Sequence, residues 1–255
     1  MGKVVRRLDW MRRGRAWKQE IERATRGDVP FAAFPEVAPD SPLEIRRGRE
    51  LPDGQLARLL GEDELGTWAL DGATLGFLKH LLGQDRPRAI VEFGAGSSTL
   101  AFAWLLHQLH GDCETRLFSI EQNEWAANNA KERLDKAGLG QVGQVFLAPL
   151  QPVDVEGVRV PCYSLDEGAK KRLRENKIPF DWVLVDGPAG DDLVRFGTLP
   201  LVREWVAREA RWFLDDARRD EERVVLERWA RLPFLRVEGT FGVGKGLACG
   251  RFVAP

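Results

Sequence analysis

Residues 90–99 constrain the fold of this chain more than any other segment. They read IVEFGAGSST, which combines an apolar run carrying an acid, a turn with two glycines, and hydroxyl residues suited to the start of a helix. Glycine lets a backbone approach a ligand where any side chain would block it. The segment therefore predicts a buried strand, a ligand-binding turn and a helix; the plainer alternative is a tight turn that binds nothing.

Short apolar runs alternate with amphipathic stretches in the rest of the chain, which is typical of a parallel sheet covered by helices on both faces. The runs are residues 89–93, 117–120, 145–147, 182–185 and 212–214. Residues 235–238 and 247–253 have no helix between them and predict a closing hairpin. The expected fold is α/β: a Rossmann-like, doubly wound, mostly parallel seven-stranded sheet with a C-terminal antiparallel β-hairpin. Ligands bind such sheets at the carboxyl ends of the strands.

At 255 residues the chain has room for one large domain, which we place at residues 63–255, after a helical extension and linker at residues 1–62. The net charge of −1 gives no general attraction to nucleic acid, although residues 1–26 hold nine Lys or Arg against three acids and predict a solvated basic arm. No apolar run approaches the ~20 residues of a membrane span. Three widely spaced cysteines suggest no disulfide framework, so we expect a cytoplasmic protein. The oligomeric state is not indicated.

A second acid follows the next apolar run. Glu121 lies 25 positions beyond Gly96, compatible with the ~20-residue spacing of a ribose-binding carboxylate. Glu92 suits a cationic ligand, and the third glycine of the dinucleotide fingerprint GxGxxG is replaced by Thr99. These residues favour a nucleoside with an amino acid end over a dinucleotide. The competing interpretation of Glu121 is an exposed acid that caps the following helix.

On these motifs, VEFGAGSST and IEQNEW, residues 63–253 resemble the class I S-adenosylmethionine-dependent methyltransferase superfamily. The resemblance implies S-adenosylmethionine as cofactor. Trp68, ahead of the first strand, is a further candidate for the pocket. Where relatives place an acid or hydroxyl toward the adenine, this chain has Ala148-Pro149-Leu150, so the adenine-binding group is left open. The expected cofactor-binding residues are Glu92, Gly94, Ala95, Gly96, Ser97, Ser98, Thr99, Glu121, Gln122 and Trp68.

Acids also follow the fourth and fifth apolar runs. Asp186 ends the run 182–185, and Asp215 and Asp216 end the run 212–214. Adjacent strand ends would bring all three into one crevice, where they repel unless a proton or a cation intervenes. Oxygen ligands suit Mg²⁺, Mn²⁺ or Ca²⁺ rather than zinc. The alternative role for Asp215 or Asp216 is to stabilise the start of the next helix.

This layout is similar to the cation-dependent O-methyltransferases of the catechol and caffeoyl-coenzyme A kind and to the glucuronoxylan O-methyltransferase-like group. The latter match rests on the VDGP strand end and on Asp216, Arg219 and Glu222. The resemblance implies Asp186, Asp215 and Asp216 as metal ligands, with Asp186 also catalytic, and a metal that lowers the pKa of an acceptor hydroxyl. The lysine base of the catechol type is replaced by Ala189.

Other motifs are given structural roles. Residues 239–246 nearly spell a phosphate-binding loop, but Gly246 replaces the required Ser or Thr, so we expect a hairpin turn. Arg195 and Arg203 follow the strand-end acid Asp186, and either could recognise an anionic substrate, but we expect exposed arginines without so specific a task. Most tryptophans are expected in the core, namely Trp104, Trp125, Trp182, Trp205 and Trp212.

The sequence thus predicts a methyltransferase that acts on a hydroxyl of a small molecule or glycan, with the need for a divalent cation left open. An NAD-dependent oxidoreductase and a cofactor-binding scaffold without catalysis are the two alternatives. The absence of an obvious base keeps the scaffold in consideration.

Overall fold

The computed structural model describes residues 59–60, 70–111, 115–190 and 193–253. The predicted extension at residues 1–62 and Trp68 therefore lie almost entirely outside the described residues, so the domain boundary stays a prediction. In chain order the helices are α1 (Gly72–Asp85), α2 (Ser97–His110), α3 (Glu124–Lys136), α4 (Glu167–Glu175), α5 (Thr198–Val202) and α6 (Asp220–Trp229). The strands are β1 (Ile90–Phe93), β2 (Leu117–Glu121), β3 (Gly143–Leu147), β4 (Leu150–Val155), β5 (Val158–Tyr163), β6 (Phe180–Val185), β7 (Val206–Leu214), β8 (Leu235–Phe241) and β9 (Leu247–Phe252).

Seven strands form one sheet in the order β3-β2-β1-β6-β7-β9-β8. The strands β3, β2, β1, β6 and β7 run parallel, whereas β9 is antiparallel to both of its neighbours. The predicted Rossmann-like sheet with a terminal hairpin is confirmed. The strand order reverses between β1 and β6, and a crevice for ligands forms at such a point.

Two elements differ from the sequence expectation. Strands β4 and β5 pair in a separate antiparallel hairpin, which periodicity did not reveal because the residues of β4 are mostly half-buried or exposed. Strand β7 begins at Val206 rather than near residue 212. Its first half was not predicted, because the charged residues Arg208 and Glu209 are exposed there and interrupt the apolar run. The turn between β8 and β9 confirms that residues 239–246 belong to a hairpin.

The core lies on both faces of the sheet, and two of the predicted tryptophans, Trp182 and Trp212, are fully buried in it. The prediction for Trp125 is wrong, since its side chain is 75% exposed. Helix α3 packs through the stripe Ala127, Ala130 and Leu134, and Trp125 lies outside that stripe. Among the described residues, no helix combines the length and apolarity that a membrane span requires.

Candidate active site

The loop between β1 and α2 approaches the loop after β6 through backbone atoms alone. Gly94 has φ +93°, and a Cβ there would lie 2.9 Å from the amide nitrogen of Gly187. Its own N–H donates to the carbonyl of Ile120 at 2.9 Å, which ties the loop to β2. Because a side chain at Gly94 would meet backbone that cannot easily move, glycine is required at this position.

Glu92 and Thr99 support this loop from beneath. The Glu92 side chain is fully buried, and its Oε2 accepts hydrogen bonds from Thr99 Oγ1 (2.7 Å) and Ser119 Oγ (2.6 Å). Thr99 Oγ1 in turn accepts from the Gly96 N–H at 2.9 Å. Burial raises the pKa of Glu92 to about 7, although hydrogen bonds from Ser119, Ser98 and Thr99 favour the charged form. Neither Glu92 nor Thr99 lines the cleft, so a contact of either side chain with a ligand stays a prediction.

Glu121 joins the glycine loop to the start of α3. Its Oε2 accepts from the Ala95 N–H at 2.8 Å and its Oε1 from the Asn123 N–H at 2.6 Å. The cap of α3 is Asn123, whose side chain accepts from the Ala126 N–H, so the capping role considered for Glu121 belongs to its neighbour. The Glu121 carboxylate is therefore held in one orientation at the wall of the cleft.

The cleft has a volume of about 650 Å³ and lies over the carboxyl ends of β1, β2 and β6. This volume is within the range of ordinary ligand pockets. Helix α3 supplies one wall through Trp125, Asn129 and Arg133, which lie four residues apart along one face. The predicted site residues on its surface are Gly94, Ala95, Gly96, Ser97, Ser98, Glu121, Gln122 and Asp186.

Asp186, Asp215 and Asp216 come together at the ends of β6 and β7, as the sequence predicts. Each offers an oxygen within 4.8 Å of the others, and Asp186 lines the cleft. Burial and the charge of Asp215 raise the pKa of Asp186 well above its usual value, and burial and Asp216 raise that of Asp215 to about 6. Neither Asp215 nor Asp216 caps α6, which begins at Asp220 after the cap residue Arg219.

Arg195 is the residue that sequence reasoning missed. It is 5% exposed rather than solvated, and it lies between the ends of β6 and β7. A guanidinium has five N–H donors, and this one is surrounded by four hydrogen-bond acceptors and one ion-pair partner. They are Pro188 O at 3.4 Å, Asp215 O at 3.0 Å, Asp186 O at 2.8 Å, Asp216 Oδ2 at 3.3 Å and Glu222 Oε1 at 3.3 Å. The available signal was its position nine residues after the strand-end acid Asp186.

Tyr163 is a second missed residue, and it is the only tyrosine of the chain. It is buried at the end of β5, and its ring stacks on Phe93 with centroids 5.4 Å apart. A Cβ on Gly187 would lie 2.6 Å from its hydroxyl oxygen. Burial, with the charge of Glu121 as the next cause, raises the pKa of Tyr163 well above its usual value. Tyr163 thus forms the floor beneath the contact between the two loops.

A divalent ion fits the spacing of the three aspartates but not their charges. Both carboxylate oxygens of Asp216 face cations, since Oδ2 lies 3.3 Å from Arg195 and 2.9 Å from Arg219, and Oδ1 lies 3.6 Å from Lys245. Asp186 Oδ1 is 4.0 Å from Arg195. Two unit charges 4 Å apart interact by about 4 kcal/mol at an effective dielectric constant of 20. A metal bound here would compete with these cations, so we assign no chemistry to one.

No protein-family description and no curated protein matches this sequence. Solved structures resemble its fold. An S-adenosylhomocysteine-bound methyltransferase from Podospora anserina is 13% identical, with a TM-score of 0.56 over 87% of this chain and 100% of that chain. An O-methyltransferase from Bacillus cereus in complex with S-adenosylhomocysteine is 17% identical, with a TM-score of 0.53 over 78% and 89%.

A third structure is the O-methyltransferase of Streptomyces achromogenes involved in tomaymycin synthesis, in complex with S-adenosylmethionine. It is 18% identical, with a TM-score of 0.53 over 86% of this chain and 92% of that chain. At these identities the similarity shows the fold alone: this chain shares the Rossmann-like fold of these methyltransferases.

Proposed function

We propose that this chain is an S-adenosylmethionine-dependent methyltransferase that methylates a hydroxyl group of a small molecule or glycan. The observation that carries the proposal is the cleft bounded by the 94–96 glycine loop, Glu121 and Asp186 at the point where the strand order reverses. The three similar structures contain S-adenosylmethionine or S-adenosylhomocysteine, which supports the same cofactor here.

The cofactor is proposed to lie with its amino acid end on the loop formed by Gly94, Ala95 and Gly96. Open space lies around the position of a Cβ on Gly96, so this part of the backbone is accessible to a ligand. The carboxylate of Glu121 would accept hydrogen bonds from the ribose hydroxyls, and the adenine would extend toward Gln122 and α3. Ser97 and Ser98 complete the proposed binding set.

Asp186 is the proposed base, since it is the predicted catalytic residue and its side chain lines the cleft. The acceptor hydroxyl would give its proton to the Asp186 carboxylate while its oxygen bonds to the methyl carbon. The carbon–sulfur bond breaks, its electron pair stays on sulfur, and S-adenosylhomocysteine is released. The raised pKa of Asp186 makes its carboxylate a stronger base than an exposed aspartate. The active form is the deprotonated one, so activity is expected to rise with pH.

The oxidoreductase and scaffold alternatives make different predictions. Thr99, in place of the third fingerprint glycine, is buried and bonded to Glu92, which favours S-adenosylmethionine over NAD. A scaffold would bind the cofactor and transfer nothing. A cytoplasmic location is also proposed, supported by two buried free thiols, Cys162 and Cys249.

Calorimetric titration of the full chain with S-adenosylhomocysteine, S-adenosylmethionine and NAD tests the cofactor. We expect one molecule of S-adenosylhomocysteine bound per chain and no heat from NAD; binding of NAD alone would overturn the proposal. Transfer is then tested with S-adenosylmethionine carrying a tritiated methyl group and a panel of catechols, hydroxycinnamates and sugars. Binding without transfer to any acceptor in the panel would favour the scaffold.

A further inference from the structure

The acidic cluster already contains a cation. We propose that Arg195 is its resident positive charge and that the cluster of Asp186, Asp215 and Asp216 does not take up a divalent metal ion. The inference goes against what the resemblance to cation-dependent enzymes implies. It stands on the geometry of the cluster and is independent of which reaction the protein performs.

All three nitrogens of the Arg195 guanidinium donate hydrogen bonds. Two of its acceptors are the carbonyls of Asp186 and Asp215, at the ends of β6 and β7, so the guanidinium joins the two strands that carry the acids. Its remaining contacts include carboxylate oxygens of Asp216 and Glu222. Four acceptors spread over all three nitrogens match the fixed fork of a guanidinium and have no counterpart in a lysine ammonium. Arg195 is therefore a buried side chain that is held in one position within the cluster by its hydrogen bonds.

Cationic side chains compensate most of the carboxylate charge of the cluster. Four carboxylates, those of Asp186, Asp215, Asp216 and Glu222, face three cationic side chains, those of Arg195, Arg219 and Lys245. One negative charge remains within this set when all are ionised, and Asp71, whose charge also raises the pKa of Asp215, adds a second. The three cations therefore already compensate most of the negative charge that a divalent ion would otherwise meet. Because buried charges are stable only when paired, the cluster offers such an ion little stabilisation.

The three cations are not equivalent. The side chain of Arg195 is 6% exposed, whereas those of Arg219 and Lys245 are 50% and 35% exposed. After removal of the exposed Arg219, water and salt ions can screen the charge of the remaining carboxylate. After removal of the buried Arg195, the buried carboxylates need another cation. Arg195→Ala is consequently the substitution that would create a metal site, with Arg219→Gln as its matched control.

The experiment measures binding of Mn²⁺ alone, by the loss of the electron paramagnetic resonance signal of the free ion, to the full chain. We expect no stoichiometric binding by the wild type at up to millimolar Mn²⁺ and a melting temperature that EDTA does not change. The Arg195→Ala variant is expected to bind one Mn²⁺ per chain at least tenfold more tightly than the wild type. Adding Asp215→Asn to that variant should abolish the gain, and Arg219→Gln should behave as the wild type.

Stoichiometric Mn²⁺ binding by the wild type that is lost in Asp186→Asn would overturn the inference. So would an Arg195→Ala chain that keeps its circular dichroism spectrum and gains no affinity for Mn²⁺. If Arg195→Ala does not fold, the wild-type titration with its Asp186→Asn comparison decides the matter on its own. None of these outcomes depends on methyl transfer, so failure of this inference and failure of the proposed function are distinguishable.

Discussion

The two halves of the cleft neutralise their carboxylates in different ways. On the β1–β2 side, Glu92 and Glu121 accept hydrogen bonds from hydroxyl and backbone N–H groups, all of which are uncharged. On the β6–β7 side, Asp216 is paired with the side chains of Arg195, Arg219 and Lys245. In the first half, the Glu121 carboxylate faces the cleft without a cationic partner, whereas the second half compensates its charge within the protein.

This difference indicates which half attracts a cation from solution. A sulfonium or an ammonium group on a cofactor carries positive charge, and it would find uncompensated carboxylate on the glycine-loop side. The acidic cluster, although it holds more acids, has little net charge to offer. A count of acidic residues at strand ends therefore misjudges the electrostatics unless the buried arginine beside them is included.

The largest expected effect separates chemistry from binding. Asp186→Asn should reduce methyl transfer by about 10²–10⁴-fold, the usual contribution of a general base. Binding of S-adenosylhomocysteine should change little, because the amide keeps the shape of the carboxylate. The measurement is tritium transfer to the best acceptor of the panel, together with calorimetric titration. Equal losses in transfer and in binding would contradict the assignment of Asp186 as base.

Glu92 gives the second prediction, which concerns stability. Its pKa is about 7 in the folded chain and 4.5 ordinarily, so between these values the native state holds a proton that the unfolded state has released. The contribution of Glu92 is thus fully present below pH 4.5 and is lost as pH rises through 7. The loss amounts to about 3 kcal/mol.

Denaturant unfolding of the wild type and of Glu92→Gln measures this effect. The free energy of unfolding of the wild type relative to the variant should fall by about 3 kcal/mol between pH 4.5 and pH 8. Glu132→Gln, which alters a carboxylate that is 69% exposed on α3, serves as the control and should leave the pH dependence unchanged. Parallel curves for wild type and Glu92→Gln would show that Glu92 titrates normally.

Much of the fold was predictable, because apolar runs that alternate with helices indicate a parallel sheet. The positions of Glu121 and Asp186 at strand ends were predictable for the same reason. The hairpin at residues 239–246 was also predictable, because a strand and not a helix follows its glycines. Strand β4 escaped prediction because it pairs only with β5 and has a single buried residue, Val155.

The electrostatics of the site were less predictable, because they depend on contacts between residues far apart in the chain. Arg195 and Glu222 meet across 27 positions, and no local pattern records that contact. Glu92 was expected on the cleft because it ends a strand, but alternation along β1 turns its side chain toward Ser119 beneath the loop. Trp125 was misplaced since the alanines of α3, and not its largest side chain, face the sheet.

The third prediction tests the glycine loop without disturbing the fold. Gly96→Val adds a side chain where nothing lies within 4 Å, at a φ of −175° that any residue adopts. The affinity for S-adenosylhomocysteine should fall by about tenfold to a hundredfold, or roughly 1.4–2.7 kcal/mol, with little change in melting temperature. Gly83→Ala, on α1 with equally open surroundings, should leave the affinity unchanged and raise the melting temperature slightly, because alanine favours a helix more than glycine does. A large loss of stability in Gly96→Val would mean that the loop is needed by the fold itself.

The smallest expected effect concerns Trp125, whose side chain is 75% exposed at the wall of the cleft. Other tryptophans, such as Trp182 and Trp212, are buried away from this wall, so a ligand beside α3 should change the fluorescence of Trp125 most. Addition of S-adenosylhomocysteine should therefore quench the emission of the wild type. In Trp125→Phe most of that quenching should disappear, while the affinity changes by less than about threefold, because an aromatic ring remains. Quenching of equal size in both proteins would contradict the placement of the adenine beside α3.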